Sequence, residues 1–503
     1  MNKRPLSAET IVIGAGPAGL TTAYQLAKDG RSVLVLEQDA AYVGGISRTV
    51  NYKGFLFDIG GHRFFSKSRE IVNLWNEILP DDFIERPRLS RIYYRGKFFS
   101  YPLKAFEAFR KLGPVESLAC VLSYAKARAT PIKEPKTFHE WVRNQFGERL
   151  FSIFFKTYTE KVWGMSCDEI SADWAAQRIK GLDLRAALID GVRRSLGYSA
   201  KAEGTAKTLI GSFRYPRRGP GMMWEAAARK IEDFGGRVIM DGKVDTLYWD
   251  EDSRVWTVEV LNEQGARKIY TARHVVSSSP VRELMRSIKP APISMPHACK
   301  LRYRDFLTVV LIGNTRMQLT DNWVYIHDPA VKVGRVQNFR SWSPKLIPDE
   351  TSVSLGLEYF CFEGDGLWSS KDQDLIVLAK KEIGKIGLMR PEEVTDACVV
   401  RQPKAYPVYD DTYAENVEVV RRDLAAHYPT LHLVGRNGMH KYNNQDHAMM
   451  TGLLTALNIE AGEPLYDVWQ VNEDAEYHET GTSGIEDALK SERLVPRKIV
   501  KTT

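Results

Sequence analysis

Residues 9–37 read ETIVIGAGPAGLTTAYQLAKDGRSVLVLE, and the reading of this stretch decides the fold. The β-branched run Ile11-Val12-Ile13 meets the turn Gly14-Ala15-Gly16-Pro17-Ala18-Gly19. Apolar periodicity through Leu20, Ala23, Tyr24, Leu26 and Ala27 predicts a helix behind that turn. Asp29-Gly30 ends the helix, Ser32 to Leu36 predicts a second strand, and Glu37 closes it about 20 residues after the glycines, the spacing of a dinucleotide-binding βαβ unit. Gly14 suits the tight turn, Gly16 the close approach of a pyrophosphate, and Gly19 the packing of helix on strand. The phosphates then meet free N–H groups and the positive end of a helix dipole. A carboxylate at Glu37 fits a ribose hydroxyl and disfavours a 2′-phosphate, so the site is expected to hold FAD or NAD and not NADP.

Working outward, 503 residues are enough for more than one core, and two or three domains are expected. A hydrophobic content of 44% with 26% charged residues suits a soluble enzyme. The net charge of +7 favours anionic ligands but is too small to argue for nucleic acid, and no recognition motif for nucleic acid is present. Five scattered cysteines without a CxxC read as reduced thiols of a cytoplasmic protein, not as a disulfide or metal framework. The opening MNKRPLSAE carries no apolar signal region, and no apolar run is long enough to span a membrane.

Soon after Glu37, Gly44 and Gly45 allow backbone N–H groups to face an anion, with Arg48 supplying charge nearby. The strand through Phe55-Leu56-Phe57-Asp58 runs into Gly60-Gly61-His62, where two glycines let the backbone lie flat against a planar ring. Residues 88–101 alternate like a hairpin around Arg95-Gly96-Lys97. From about Pro102 to Gly197 the period is helical, with caps at Thr137 and Ser171, and residues 198–212 resemble a flap. The helix from Met223, strands near Arg237–Met240 and Val255–Leu261, and the turn at Val244 return the chain to the nucleotide domain, where Val244 suits an adenine. Strands with one helix, Asp372 to Gly384, follow between 295 and 420. After the strand at Leu431 comes an apolar helix, Ala448 to Ile459, with Asn444, Gln445 and Asp446 at its N-terminus. The chain is thus expected to be α/β: a Rossmann-type FAD-binding domain in three parts (1–66, 213–290, 426–465), a mainly helical insertion (67–212), a mixed or antiparallel sheet domain for substrate (291–425) and a polar tail (466–503).

The ordered motifs IGAGPAGL, VGGISRT, DIGGHRFFS, FKTYTEKVWG, WAAQR, FRYPRRGPGMMW, RSWSP and GRNGMHKYNNQDHAMMTG resemble the UDP-galactopyranose mutases, nearer their eukaryotic branch, within the flavoproteins that include amine oxidases and protoporphyrinogen oxidase. The resemblance covers roughly Glu9 to Ile459. It implies FAD held by Gly14, Gly16, Ala18, Gly19, Glu37, Gly44, Gly45, Arg48, Gly61, Val244, Arg436, Gln445 and Asp446, with His62 beside the reactive flavin nitrogen. It implies a substrate diphosphate clamped by Arg178 and Arg335, with Tyr101, Tyr158, Thr159, Tyr325, Trp342, Tyr406 and Tyr442 around it, and Arg88 and Ser90 docking NADPH or NADH as reductant. The implied reaction is ring isomerisation of a UDP-galactose-like nucleoside-diphosphate hexose, in which N5 of reduced FAD attacks the anomeric carbon.

Guanidinium groups suit phosphate, and two buried arginines without an anion would be costly, which favours a phosphorylated substrate. Leu103, Lys104 and Thr159 depart from the family's uracil-binding pattern, so diphosphate capture survives the comparison better than uridine recognition. Two rivals stand beside this reading: an FAD-dependent oxidoreductase of the amine oxidase or protoporphyrinogen oxidase type, and an isomerase of a lipid-linked sugar phosphate. The basic stretch Arg193-Arg194, Lys201, Lys207, Arg214, Arg217 and Arg218 prompts the latter, although a solvated face accounts for it better.

Overall fold

In the computed structural model, residues 6–172, 211–314, 319–472 and 498–499 are described. The glycine-rich stretch forms the strand Leu6–Ile13, the helix Pro17–Lys28 and the strand Val33–Leu36. Pro17 opens the helix, where its missing N–H costs nothing and its fixed φ is already helical. Leu6–Ile13 lies parallel to Val33–Leu36 on one side and to Arg267–Ser277 on the other. Arg237–Ile239 extends one edge, Val255–Leu261 and Lys243–Asp250 extend the other, and Leu431–Leu433 pairs beside the end of Arg267–Ser277.

Val33–Leu36 and the Ile11–Ile13 end of the first strand are apolar at every position because both faces of the sheet are covered there. Val12, Val33 and Val35 join the core beneath the helices Pro17–Lys28, Gly221–Asp233 and Gln445–Ala461. Ile11, Ile13, Leu34 and Leu36 face the opposite core, to which Val420 and Leu424 of the helix Tyr413–His427 contribute. The helix Arg69–Ile78, capped by Ser68, packs Ile71, Leu74, Trp75 and Ile78 into the first of these cores. That part of segment 67–212 therefore belongs to the nucleotide domain and not to the insertion.

The second sheet has the order Val394–Pro407, Tyr303–Gly313, Val353–Cys361, Arg335–Asn338, Trp323–Ile326, Ser90–Tyr94, Lys97–Ser100. The predicted hairpin forms, but Ser90–Tyr94 runs parallel to Trp323–Ile326 and so extends this sheet instead of standing with the helices. One face packs Leu307, Val309 and Leu357 against the helix Asp372–Ile386. The other carries Phe306 and Val310, packed with Trp342 of the short helix Phe339–Trp342 and with Phe57 and Tyr215, and faces the nucleotide domain's Asp58–His62 turn.

The predicted helical run from Phe138 onward breaks into Phe138–Phe146, Glu148–Phe151, one π-turn and Thr157–Trp163. Gly147 makes the break: its φ is +81°, and a Cβ there would stand 2.7 Å from the Tyr124 backbone nitrogen. Thr137 caps its helix in a reciprocal box with Glu140. The helix predicted behind Ser171, Arg178, the flap as far as Ile210, and the tail from 473 to 497 lie outside the described residues. Among the described residues no helix is long and apolar enough to cross a membrane, and no group of His, Cys, Asp or Glu side chains is placed to hold a metal ion.

Candidate functional site

The nucleotide cradle is assembled from chain segments that lock onto the first turn. A Cβ at Gly19 would stand 2.0 Å from the Gly14 carbonyl oxygen, whereas one at Gly16 would meet nothing within 4 Å. The turn is therefore closed on the helix side and open at Gly16. The Gly44 N–H donates to the Ala15 carbonyl at 2.7 Å, which staples the second loop to the first. That N–H is thus spent on backbone and is not the anion donor the sequence suggests. Gly45 stands over Gly16, its Cβ direction 3.5 Å from the Gly16 Cα. Arg48 Nη1 donates to the Gly45 carbonyl at 2.9 Å and to Gln402 Oε1 at 2.6 Å. The Ala18 side chain is buried against Gly435 and Gly452, whose lack of a Cβ lets the neighbouring segments close on it.

Glu37 accepts from the Ala15 N–H at 2.6 Å and the Asp39 N–H at 2.9 Å. Each carboxylate oxygen keeps a further lone pair for a ribose hydroxyl. Burial raises this carboxyl above its ordinary range, against the opposing pull of the backbone donors. The Gly242 N–H donates to the Glu37 carbonyl at 2.7 Å, so the turn leading to Val244 sits beside it. At the far end of the cradle, Gln445 Nε2 donates to the Arg63 carbonyl at 2.9 Å. Gln445 Oε1 and Asp446 Oδ2 are buried at a helix N-terminus with no protein partner among the described residues. Burial pushes the Asp446 carboxyl up to about 7. Open space at Gly16, a buried acid with spare lone pairs at the end of the second strand, and two orphaned oxygens together fit an extended dinucleotide.

Beyond the cradle, the turn Gly60-Gly61-His62 lies against the second sheet. Gly61 is glycine because a Cβ would come 3.1 Å from both Gln337 Nε2 and Trp342 Cζ2, on the protein side and not on the open side. Trp342 is 2% exposed, and its indole N–H is taken by the Asn322 carbonyl and Gln337 Oε1, both at 3.0 Å. It supports the turn from below; its expected role as a substrate contact does not fit this burial.

Three adjacent strands set Tyr325 opposite Arg335 and Arg335 opposite Glu358. Arg335 donates through Nε at 2.7 Å and Nη2 at 2.6 Å to Glu358 Oε2, while Gln337 Nε2 donates to Oε1 at 3.0 Å. Arg335 thus has an internal counterion that sequence reasoning missed, since nothing near Glu358 in the chain points to Arg335. Phenols crowd this guanidinium: Tyr325 packs on Tyr158 at 5.3 Å and Tyr101 at 4.9 Å, and Tyr406 stacks on Tyr442 at 5.6 Å. Arg436 lies over the rings of Tyr406 and Tyr442, at 5.2 and 4.9 Å, and is tethered to the Asn443 and Ala405 carbonyls. Arg88 reaches the rings of Tyr101 and Trp323. Thr159 and Ser90 are buried in their own elements, so neither presents a surface, and Lys104 is exposed at a helix start.

The electrostatics follow from this packing. Burial lowers the Arg335 guanidinium, but Glu358 and the phenols of Tyr158, Tyr406 and Tyr325 outweigh it, leaving the pKa well above its ordinary value. Burial, then the charges of Arg436, Arg335 and Arg48, lower His62 to about 3 against the Gly60 carbonyl 3.1 Å from Nδ1. His62 is therefore a neutral ring at working pH and no proton donor. Asp58, held by the Tyr215 hydroxyl at 2.8 Å, is raised well above its ordinary value, chiefly by burial. Around one turn, the guanidiniums of Arg436, Arg335 and Arg48 thus bear on His62, and Glu358 is the counterion held by Arg335. Among the described residues, Arg48 and Arg436 donate hydrogen bonds only to carbonyl and amide oxygens.

Residues 12–78 match the NAD(P)-binding Rossmann-like domain family. Over 172 residues the chain is 29% identical to the probable UDP-galactopyranose mutase of Klebsiella pneumoniae, covering 32% of this chain and 42% of that protein. The chain thus spans less than half the length of this relative. The solved structure of reduced UDP-galactopyranose mutase superposes with a TM-score of 0.76 at 22% identity, over 90% of this chain and 96% of that one. A solved protein of Exiguobacterium sp. 255-15, provisionally named protoporphyrinogen oxidase, superposes with a TM-score of 0.68 at 16% identity, over 91% and 99%. The chain therefore carries an NAD(P)-binding Rossmann-like domain, has the fold of UDP-galactopyranose mutase and of the protoporphyrinogen oxidase type, and resembles the mutase in sequence as well.

Proposed function

We propose that the chain binds FAD in the cradle and, with the flavin reduced, isomerises the ring of a UDP-galactose-like sugar nucleotide. The observation that carries this reading is the cationic chamber at Gly60-Gly61-His62, where Arg335 and Arg436 stand among phenols. An anion with several oxygens suits that field, and phenols add short O–H donors without adding charge. An amine, cationic at neutral pH, would meet three guanidiniums. This disfavours the amine-oxidase rival; an oxidoreductase of the protoporphyrinogen oxidase type remains the second reading, because the fold accommodates it.

When bound, reduced FAD would supply a nucleophile at N5. The chain's own residues bind and orient. Arg335, its Nη1 without a protein partner among the described residues, grips one phosphoryl group of the substrate, with Arg178 as the proposed second grip. Tyr158, Tyr325, Tyr406 and Tyr442 exclude water and fix the sugar–phosphate linkage. The Gly61 and His62 backbone, braced by Trp342, sets the flavin edge. Arg88 is the proposed contact for a nicotinamide reductant, NADPH or NADH.

The test compares Arg335→Ala with the parent, both loaded with FAD, by calorimetric titration with UDP. Loss of a charge-assisted contact weakens binding roughly 10-fold to 100-fold, with the flavin spectrum retained. Equal UDP affinity in the two proteins would remove the clamp from the account.

A further inference from the structure

The helix Pro114–Ala129 is amphipathic in the wrong sense for a helix that only covers a core. Val115, Leu118, Leu122, Ala125 and Ala129 recur three and four residues apart and are all exposed, while Cys120 and Ala127 on the opposite side are buried. Val115 is 83% exposed and Leu118 and Leu122 are each 61% exposed, and Phe106 on the adjoining helix Ala105–Leu112 is 66% exposed. Monomeric proteins scatter exposed leucines singly; four turns of one apolar face mark a contact surface.

The unpaired charges on these two helices are of one sign. Lys126 and Arg128 stand in the last turn of the same helix, Lys104 and Arg110 on the adjoining one, all exposed. The acids of both helices are already used, Glu107 by Lys111 at 2.6 Å and Glu116 by Arg149. Among the described residues none of the four cations has an acidic partner. An apolar stripe edged by uncompensated cations is complementary to a bilayer bearing anionic headgroups: acyl chains take the leucines and valine, headgroups take the lysines and arginines. A second copy of the chain would instead bring the same cations together.

We infer that this helix docks the protein on an anionic membrane surface, lying in the interface without crossing it. The adjoining helix begins at Lys104, close behind Tyr101 of the chamber, so docking would set the site beside the bilayer. This inference stands apart from the flavin chemistry proposed above.

The experiment is co-sedimentation of the full chain with vesicles of phosphatidylcholine alone and with about 30% phosphatidylglycerol. The expected result is pelleting with the anionic vesicles only, falling as salt rises. Leu118→Asp with Leu122→Asp should lower the bound fraction roughly tenfold or more, and Lys126→Glu with Arg128→Glu should do likewise while disturbing no buried group. An unchanged circular dichroism spectrum and melting midpoint confirm that each variant is folded. No pelleting with either vesicle overturns the inference, as does binding that both variants retain. A dimer in sedimentation equilibrium that Leu118→Asp with Leu122→Asp dissolves, without vesicle binding, would assign the face to a second copy instead.

Discussion

Replacing Glu358 by Gln tests how the chamber is held in charge balance. Glu358 is 1% exposed and accepts from Arg335 Nε at 2.7 Å, Arg335 Nη2 at 2.6 Å and Gln337 Nε2 at 3.0 Å. The neutral amide keeps the shape and an acceptor for Gln337, but turns two charge-assisted bonds into weaker ones and leaves Arg335 a buried cation without its counterion. Breaking a buried pair from one side costs about 3–5 kcal/mol, which at about 2–4 °C per kcal/mol corresponds to a fall of roughly 6–20 °C in the melting midpoint. An added anion should then offset part of the loss. In the parent, pyrophosphate competes with Glu358 for the guanidinium; in the variant it does not, so saturating pyrophosphate should recover about 1–2 kcal/mol more in the variant than it adds to the parent. Urea unfolding with and without pyrophosphate measures both quantities. Parental stability in Glu358→Gln, or an equal pyrophosphate response in the two proteins, would refute the reasoning.

Gly16→Ala should fold with parental stability, because its Cβ meets nothing within 4 Å, yet lose FAD; Gly19→Ala, whose Cβ would stand 2.0 Å from a carbonyl oxygen, should cost at least about 3 kcal/mol even without FAD. Melting curves of both FAD-free proteins and the flavin content of each as purified separate these outcomes. Asp446 has its folded pKa raised from 3.8 to about 7, so its contribution to stability is complete below 3.8 and is lost as pH rises through 7, by about 4 kcal/mol. Asp446→Asn should flatten the fall in unfolding free energy between about pH 4 and pH 7; a slope equal to the parent's would contradict this. Because burial and three arginines hold His62 near 3, His62→Asn should leave the shape of the pH–rate profile unchanged between about pH 5.5 and 8. An inflection in that range that disappears in the variant would show that His62 titrates there.

What could be read in advance was local. The first strand, helix and second strand interact over fewer than thirty residues, and glycine, proline and apolar period each act on their own neighbourhood, so residues 9–37 were legible. Val255–Leu261 and Trp323–Ile326 were readable for the same reason, as apolar runs between turn residues. Contacts set by strand order were not. Glu358 meets Arg335 only because Val353–Cys361 lies antiparallel to Arg335–Asn338, and no residue near either announces that register. Asp58 and Tyr215 are 157 residues apart and meet only because the chain returns to the nucleotide domain after the intervening segment. The hairpin at 90–100 was visible as a hairpin, but which sheet it would join depended on the strand Trp323–Ile326, far along the chain. Gly61 was identified as necessary, for a different reason from the one the structure provides: the space it leaves is filled by Trp342. The helical break at Gly147 escaped the periodic pattern because its cause is the close passage of the helix Pro114–Ala129.

The most direct test is turnover by FAD-loaded protein, reduced with dithionite and kept anaerobic, on a panel of sugar nucleotides, with products resolved by chromatography. The expected result is a ring isomer of one of them, formed many times per flavin with no oxidant consumed. Product formed only once per flavin, or only when oxygen or another oxidant is supplied, would make the protein an oxidoreductase and contradict the isomerase reading.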